Sequence, residues 1–405
     1  MPRIEDFDLP LAFKVNPLSA PLLLDRPSDS EDTGEIAVQV QVRALEGMQK
    51  EAVLSSNGGN IWRMVCDEGH YLNGTDLAPF PLGFYTAGMQ FSLMSELRRH
   101  AGMYQVDLKS IEVIQDNYYT MEGSALRGTM IGGAKSAEVS IKIESNASEE
   151  TIRRLVRLAE ASSPAHAMMR DALENTFSLK FNGHNTPVVD VNPSHAAPVQ
   201  DPEETFFESI QSMDERTFLQ DIVSKLSDTE KVFGVEGGAG SSLHAEQKRT
   251  LHVHGEARTM GGTLMETVVQ PFNPMGSAFR FVCDETKVAG GRESAPPPLM
   301  YLSAGVGFCY MTQIGRYAHI TKQDLQKYEI VQNNVFATSR SREDGAWIGH
   351  AHPFDTRVLM EADESNEIAQ KTLTMGERTC FLHAAMRGRH PSILKVELNG
   401  HSFGL

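Results

Sequence analysis

The chain has 405 residues, with 37 Lys+Arg against 53 Asp+Glu for a net charge of −16, 40% hydrophobic residues and 4 Cys. That length allows two or three domains with real cores, and so acidic a balance argues against a general nucleic-acid role or attraction to anionic membrane surfaces. Four cysteines are too few for a disulfide scaffold; with no basic-then-apolar start and no apolar run of about 18 residues, a cytoplasmic protein without secretory signal or membrane span is expected.

An internal repeat organises the sequence. Val65-Cys66-Asp67-Glu68 recurs as Val282-Cys283-Asp284-Glu285, and Asn182-Gly183-His184 as Asn399-Gly400-His401, each 217 positions later. Residues 61–184 therefore lie on 278–401 without a gap. Upstream the offset is 215, matching Arg43 and Glu51 with Arg258 and Glu266. Two long copies suit a fused pair rather than a solenoid, which needs short units and at least three of them. The expected domains are 35–185 and 248–405, joined by a linker over 186–247 rich in Pro, Ser, Asp and Glu. That linker carries one expected helix at 213–226 and a flexible Gly-Ser tract at 237–242.

In chain order, residues 36–42 alternate as a strand. A glycine-containing hairpin and a further strand ending in Val-Cys-Asp-Glu follow, and then a helix. The second copy repeats this from a strand at 250–253. Its prolines at 296–298 can open the helix, and apolar residues at 299, 302, 306, 309 and 310 put Cys309 on the buried stripe. Strands are expected at 328–337 and 357–361, one helix over 367–386 and a last strand at 393–398. Strands, helix, strands, helix, strand make an α+β fold.

The repeat supplies an internal control for the cysteines. Cys66 and Cys283 are equivalent and read as packing residues. Cys309 and Cys380 align with Ser92 and Ser163, so one copy carries two thiols where the other carries two hydroxyls. That joint change suggests that the two positions act as a pair.

The run Asp284-Glu285, Gly290-Gly291, Pro296 to Pro298 and Ser303 to Cys309, followed some seventy residues later by Cys380, resembles the OsmC/Ohr family of thiol peroxidases. The first copy looks like a degenerate member, with Ser163-Pro164 where the family often has Cys-Pro. The resemblance implies two OsmC-like units in one chain forming an intramolecular pseudo-dimer, with antiparallel sheets wrapped around central helices. It also implies organic hydroperoxide reduction. Cys309 would be the attacking thiol, Cys380 the resolving one and an external thiol the reductant, with an apolar small-molecule substrate, no cofactor and no resident metal.

The family lowers its thiol pKa with an arginine held by a glutamate ten residues before the first cysteine. Leu299 stands there in this sequence, and Leu82 in the other copy. Thr263 follows the hairpin glycines where the hydroperoxide-resistance branch has arginine. Arg258 and Arg316, the latter seven residues beyond Cys309, are the candidate substitutes, with a structural role equally open because Arg43 and Arg99 match them.

His383, three residues after Cys380, is a candidate proton shuttle, structural hydrogen-bonder or, with the two thiols, metal ligand; His166 matches it in the serine copy. His350 and His352, and likewise His252 and His254, are spaced to share one face of a strand and reach a ligand or metal, or else lie solvated. Two other functions stay open: Cys309 as nucleophile toward a carbon electrophile, and a non-catalytic binder of small molecules between the copies. Further homodimerisation of the chain is open as well.

Overall fold

The computed structural model describes residues 1–18, 35–218, 221–230, 247–341 and 345–405. The fold is α+β, with two large, mostly antiparallel sheets enclosing two central helices. The Gly-Ser tract at 237–242 lies outside the described residues, and no described helix is long and apolar enough to cross a membrane.

Each sheet is built from both repeats. One runs in the order Ala12–Val15, Ile61–Cys66, Lys50–Ser56, Ile36–Ala44, then Leu325–Arg340 and Asp355–Ala362, then Thr176–Phe181 and Asn192–Pro193. The other runs Val223–Lys225, Phe279–Cys283, Leu264–Asn273, Gln247–Gly261, then Leu108–Gly123 and Glu138–Ser145, then Ile393–Leu398 and His401–Phe403. The seam in each is a long antiparallel ladder between repeats, pairing Val40 with Gln332 in one sheet and His254 with Asp116 in the other. Thr176–Phe181 and Ile393–Leu398 each lie parallel to a strand of the other repeat, Asp355–Ala362 and Glu138–Ser145 respectively. One large hydrophobic core consequently spans both repeats, beside a small second cluster around Ile4 and Val65.

Local chemistry explains the elements. Along Leu108–Gly123, Ile111, Val113, Tyr119 and Met121 turn inward at every second position while their neighbours are half-exposed. The central helices, Pro81–Met103 and Pro298–Ile320, are apolar nearly all round because both sides meet sheet or helix, and each has proline in its first turn, where no backbone N–H is needed.

The segment between repeats is more structured than its composition suggests. A helix forms at Glu203–Gln211 rather than over 213–226, and it buries Phe206 beneath the Arg43 guanidinium, 4.7 Å from the ring centroid. Among the described residues of 213–226 there is a short turn of helix, Glu215–Phe218, and then Val223–Lys225, which joins the second sheet as an edge strand. Lys225 then reaches back to the Asp76 carboxylate of the first repeat at 2.8 Å. The segment straps the molecule instead of merely connecting it.

The region 367–386 is two helices, Asn366–Thr379 and Phe381–Arg387, because Cys380 adopts an extended conformation (φ −68°, ψ 122°) and caps the second. Ser163 does the same between Glu149–Ser162 and Pro164–Arg170, with Pro164 at the first helical position.

The central helices cross at their glycines. A Cβ on Gly88 would stand 2.4 Å from the backbone nitrogen of Leu302, and one on Gly305 would stand 2.6 Å from that of Tyr85. Neither backbone can move without opening the core. Gly88→Ala and Gly305→Ala are each expected to destabilise by about 2–3 kcal/mol. Gly102→Ala, whose Cβ would meet nothing within 4 Å, is expected to be neutral or slightly stabilising. Urea unfolding of the three variants distinguishes these outcomes.

Candidate functional site

Cys309 lies midway along the second central helix, and Cys380 lies at the break between the two helices that follow. Their sulfurs are 3.3 Å apart, with the Cys380 thiol donating to Cys309 Sγ. Both are free thiols and buried, Cys309 being 2% exposed. A disulfide needs the sulfurs to close by only about 1.2 Å from this distance. Burial, followed by the adjacent Cys309, pushes the Cys380 thiol well above its ordinary pKa, so Cys380 holds its proton.

The serine copy repeats the arrangement. Ser92 Oγ and Ser163 Oγ are 2.9 Å apart, and Ser163 Oγ bonds His166 Nδ1 at 3.0 Å. In the thiol copy, the backbone N–H of His383 donates to Cys380 Sγ at 3.5 Å, while neither ring nitrogen of His383 has a hydrogen-bond partner. Its ring instead packs edge-on against Tyr310 and Phe177. His383 is therefore beside the site through its backbone and is buried as a neutral ring.

Arg316 is buried on the same helix as Cys309, where its guanidinium donates to Gln313 Oε1 at 3.3 Å. Burial lowers its pKa, and the opposing influences are Glu68 and then Cys309. Arg316 is thus within electrostatic range of both. Glu68, from the first repeat, accepts a hydrogen bond from Thr312 Oγ1 at 2.8 Å, and burial raises its pKa against the pull of Lys50, Thr312 and Arg316. Arg249 joins this group: burial and the repulsion of Arg316 bring it down to about 9.

Arg258 is not at the site. It lies on the hairpin with a side chain 72% exposed, paired with Glu266 at 2.6 Å, and Glu266 also holds Arg280. The first repeat has the same triad in Arg43, Glu51 and Arg63. An equal residue in both repeats here has an equal, structural role.

Leu299, read from the sequence against Cys309, belongs to the opposite site. It lines a cavity of about 730 Å³ together with Ser92, Pro164, Phe336 and Trp347. Because the repeats interleave, the position ten residues before Cys309 faces the serine pair. Thr263 lines the same cavity.

Sequence reasoning missed Glu68, Lys50 and Tyr119. All three come from the first repeat, so no spacing around Cys309 points to them. Tyr119 is fully buried, its hydroxyl has no hydrogen-bond partner, and its pKa is raised well above normal by burial, then by Tyr85, Cys309 and Cys380. A signal was available: Tyr119 aligns with Phe336 and Lys50 with Met265, so both change where the cysteines change. Cys66 and Cys283 are fully buried thiols with pKa raised chiefly by burial. His350 bonds Ser339 Oγ at 2.8 Å, and His352 is exposed beyond that strand. Among the described residues, Cys309, Cys380 and His383 do not form a metal-ligand group, whereas Asp116, His252 and His254 gather as one.

The site is thus a buried pair of free thiols at a helix break in a two-sheet α+β scaffold. Residues 291–395 match the family model for OsmC-like protein. Among solved structures, an OsmC-like hydroperoxide resistance protein from Jannaschia sp. CCS1 is similar at 22% identity, over 32% of this chain and 81% of that one, with a TM-score of 0.21. No curated protein gives a significant match.

Burial lowers His383 and His166 to about 3, aided by Arg387 and Arg170 respectively, from an ordinary 6.5. These are depressed pKa values, so the stability of the neutral rings is complete above about 6.5 and is lost as pH falls toward 3. Urea midpoints are expected to drop between pH 7 and 4.5. In His383→Met this slope is expected to flatten by up to ~1.4 kcal/mol per pH unit; an unchanged slope would mean that the ring is already charged in the folded protein.

Proposed function

We propose that the chain is a thiol peroxidase of OsmC type that reduces apolar organic hydroperoxides, working as an intramolecular pseudo-dimer of two OsmC-like units with one active site. The observation that carries this reading is the 3.3 Å contact in which a proton-holding Cys380 donates to Cys309. Cys309 thiolate attacks the terminal peroxide oxygen, the O–O bond breaks, and the alkoxide leaves and takes a proton as the alcohol. Cys309 is then a sulfenic acid. Cys380 attacks its sulfur, releasing water and forming the Cys309–Cys380 disulfide, which an external dithiol reduces.

In this reading Arg316 favours the thiolate and Glu68 orients Arg316, so the arginine–glutamate pair is rebuilt across the two repeats. The Tyr119 hydroxyl, buried beside both sulfurs, is suited to donate to the leaving oxygen. The domains are the two repeats, each with strands in both sheets. The substrate is expected to be apolar, with neither nucleic acid nor membrane as partner and a cytoplasmic setting that supplies the reductant.

Intact mass and peptide mapping after treatment with cumene hydroperoxide test this. One Cys309–Cys380 disulfide is expected, with turnover abolished in Cys309→Ser and a trapped sulfenic acid in Cys380→Ser. Glu68→Gln and Tyr119→Phe are each expected to slow oxidation by about 10-fold or more. Two free thiols after excess peroxide would remove the proposal.

A second activity, non-catalytic binding, is favoured for the serine copy by its cavity. The lining is mainly apolar, and at its polar side the buried Nη1 of Arg98 has no hydrogen-bond partner. Such a shape, whose polar side also carries Glu96 and Glu285, fits an apolar small molecule. Anilinonaphthalene sulfonate is expected to fluoresce on binding there, and Ala337→Trp, which fills the cavity, is expected to abolish the signal; binding unaffected by that substitution would place the ligand elsewhere.

A further inference from the structure

The outer face of the seam between repeats carries a cluster that the thiol chemistry does not use. His252 and His254 lie two residues apart on Gln247–Gly261 and so share a face, and the ladder sets His254 opposite Asp116 on Leu108–Gly123. His252 Nε2 and His254 Nδ1 approach the same Asp116 oxygen at 2.6 and 2.8 Å. One donor atom from each of the three lies within 4.8 Å of the others, and the side chains are only 18–27% exposed.

The rings are held in place. Tyr118 stacks on His252 and Phe272 on His254, each with centroids 4.7 Å apart, and Phe272 meets His252 edge-on. Glu256 accepts from the other nitrogen of His254 at 3.1 Å. With an ion at Nδ1 in place of its hydrogen bond to Asp116, that contact would hold the proton on the far nitrogen, the carboxylate–histidine arrangement that orients metal ligands.

The other sheet is the control. At the equivalent places stand Gln39 for His254, Asn333 for Asp116, Gln41 for Glu256 and Ala37 for His252. Gln39 and Asn333 meet through an ordinary amide hydrogen bond at 3.1 Å. The ladder therefore closes with neutral amides, and the folding of the seam does not require two imidazoles and a carboxylate. These residues have changed together to a set with metal-binding chemistry.

We propose that Asp116, His252 and His254 bind one zinc-class divalent ion, clamping a strand of the first repeat to a strand of the second. Two imidazoles and a carboxylate suit zinc, cobalt or nickel and leave at least one coordination position for water or an outside ligand. The carboxylate lies between the imidazoles, so the ion takes the place of the hydrogen bonds that now join them, and binding releases any proton the histidines carry.

The test uses the full chain with Zn²⁺ and with Co²⁺ as a spectroscopic probe. One ion per chain is expected, with a visible Co²⁺ d–d spectrum lacking the sulfur-to-cobalt charge-transfer band, and Zn²⁺ is expected to raise the thermal midpoint. The double substitution Asp116→Asn, His254→Gln copies the amide pair that the other sheet already accommodates, so its fold is expected to persist. It is expected to weaken zinc at least 10–100-fold and to lose the thermal shift, while Cys309→Ser leaves both unchanged. No cobalt spectrum in the wild type, a spectrum with a sulfur band that vanishes in Cys309→Ser, or undiminished zinc affinity in the double variant overturns the proposal.

Discussion

The crossing of the two central helices at Gly88 and Gly305 is the constraint on which the remaining geometry rests. Each helix presents bare backbone to the other where any side chain would collide with Leu302 or Tyr85. Ser92 and Cys309 each follow their glycine by four residues, one helical turn along the same side. The close approach therefore fixes where both sites stand relative to the core, and the two sheets must be long enough to cover a helix pair rather than a single helix. Strands exchanged between repeats provide that length. Neither repeat could close such a core alone, because its central helix would be left with an apolar face uncovered.

Much of this scaffold was legible in the sequence. The constant offset showed the repeat, prolines marked the start of the second central helix, and alternation marked strands such as the one at 36–42. Strand partners across the seam were not legible, because a half-buried pattern tells which face is inward and not which neighbour supplies the ladder. The break at Cys380 was hidden by apolar spacing that runs on through 369–386. Yet Pro164, just after the aligned Ser163, had marked it in the first repeat. Glu68, Lys50 and Tyr119 escaped for a related reason: they come to the surroundings of Cys309 and Arg316 from the other half of the chain, while motif spacing looks only along one half.

Comparing the halves separates scaffold from chemistry more sharply than either half alone. The ion triads Arg43–Glu51–Arg63 and Arg258–Glu266–Arg280 are the same in both and hold the hairpins. What differs is concentrated. Cysteine against serine and Tyr119 against Phe336 distinguish one pocket from the other, and histidine and aspartate against glutamine and asparagine distinguish one sheet surface from the other. Equality of residue is not equality of surroundings: Arg316 has a counterpart in Arg99, and the sequence left a catalytic and a structural role open for it. Arg99 pairs with the neighbouring Glu96 and faces Trp347 in the open cavity, whereas Arg316 is buried near Glu68 and Cys309. Identical residues acquire different environments when what surrounds them has changed.

That difference in environment bears on the direction of the proposed chemistry. Arg316 and Arg249 are buried close enough to repel one another, and the burial that lowers both penalises their charges. A negative charge placed on Cys309 eases that repulsion, since Cys309 is one of the groups that favours the charged form of Arg316. Cys380 receives no such help. The influences on its thiol are burial and Cys309 itself, opposed only by backbone N–H groups of its helix, so a charge there would be resisted while one on Cys309 is drawn toward the cations. Two sulfurs 3.3 Å apart cannot both ionise cheaply in so dry a place. Cys380, its pKa raised by burial and by its neighbour, keeps its proton, and in the proposed cycle it would resolve only after Cys309 has been oxidised.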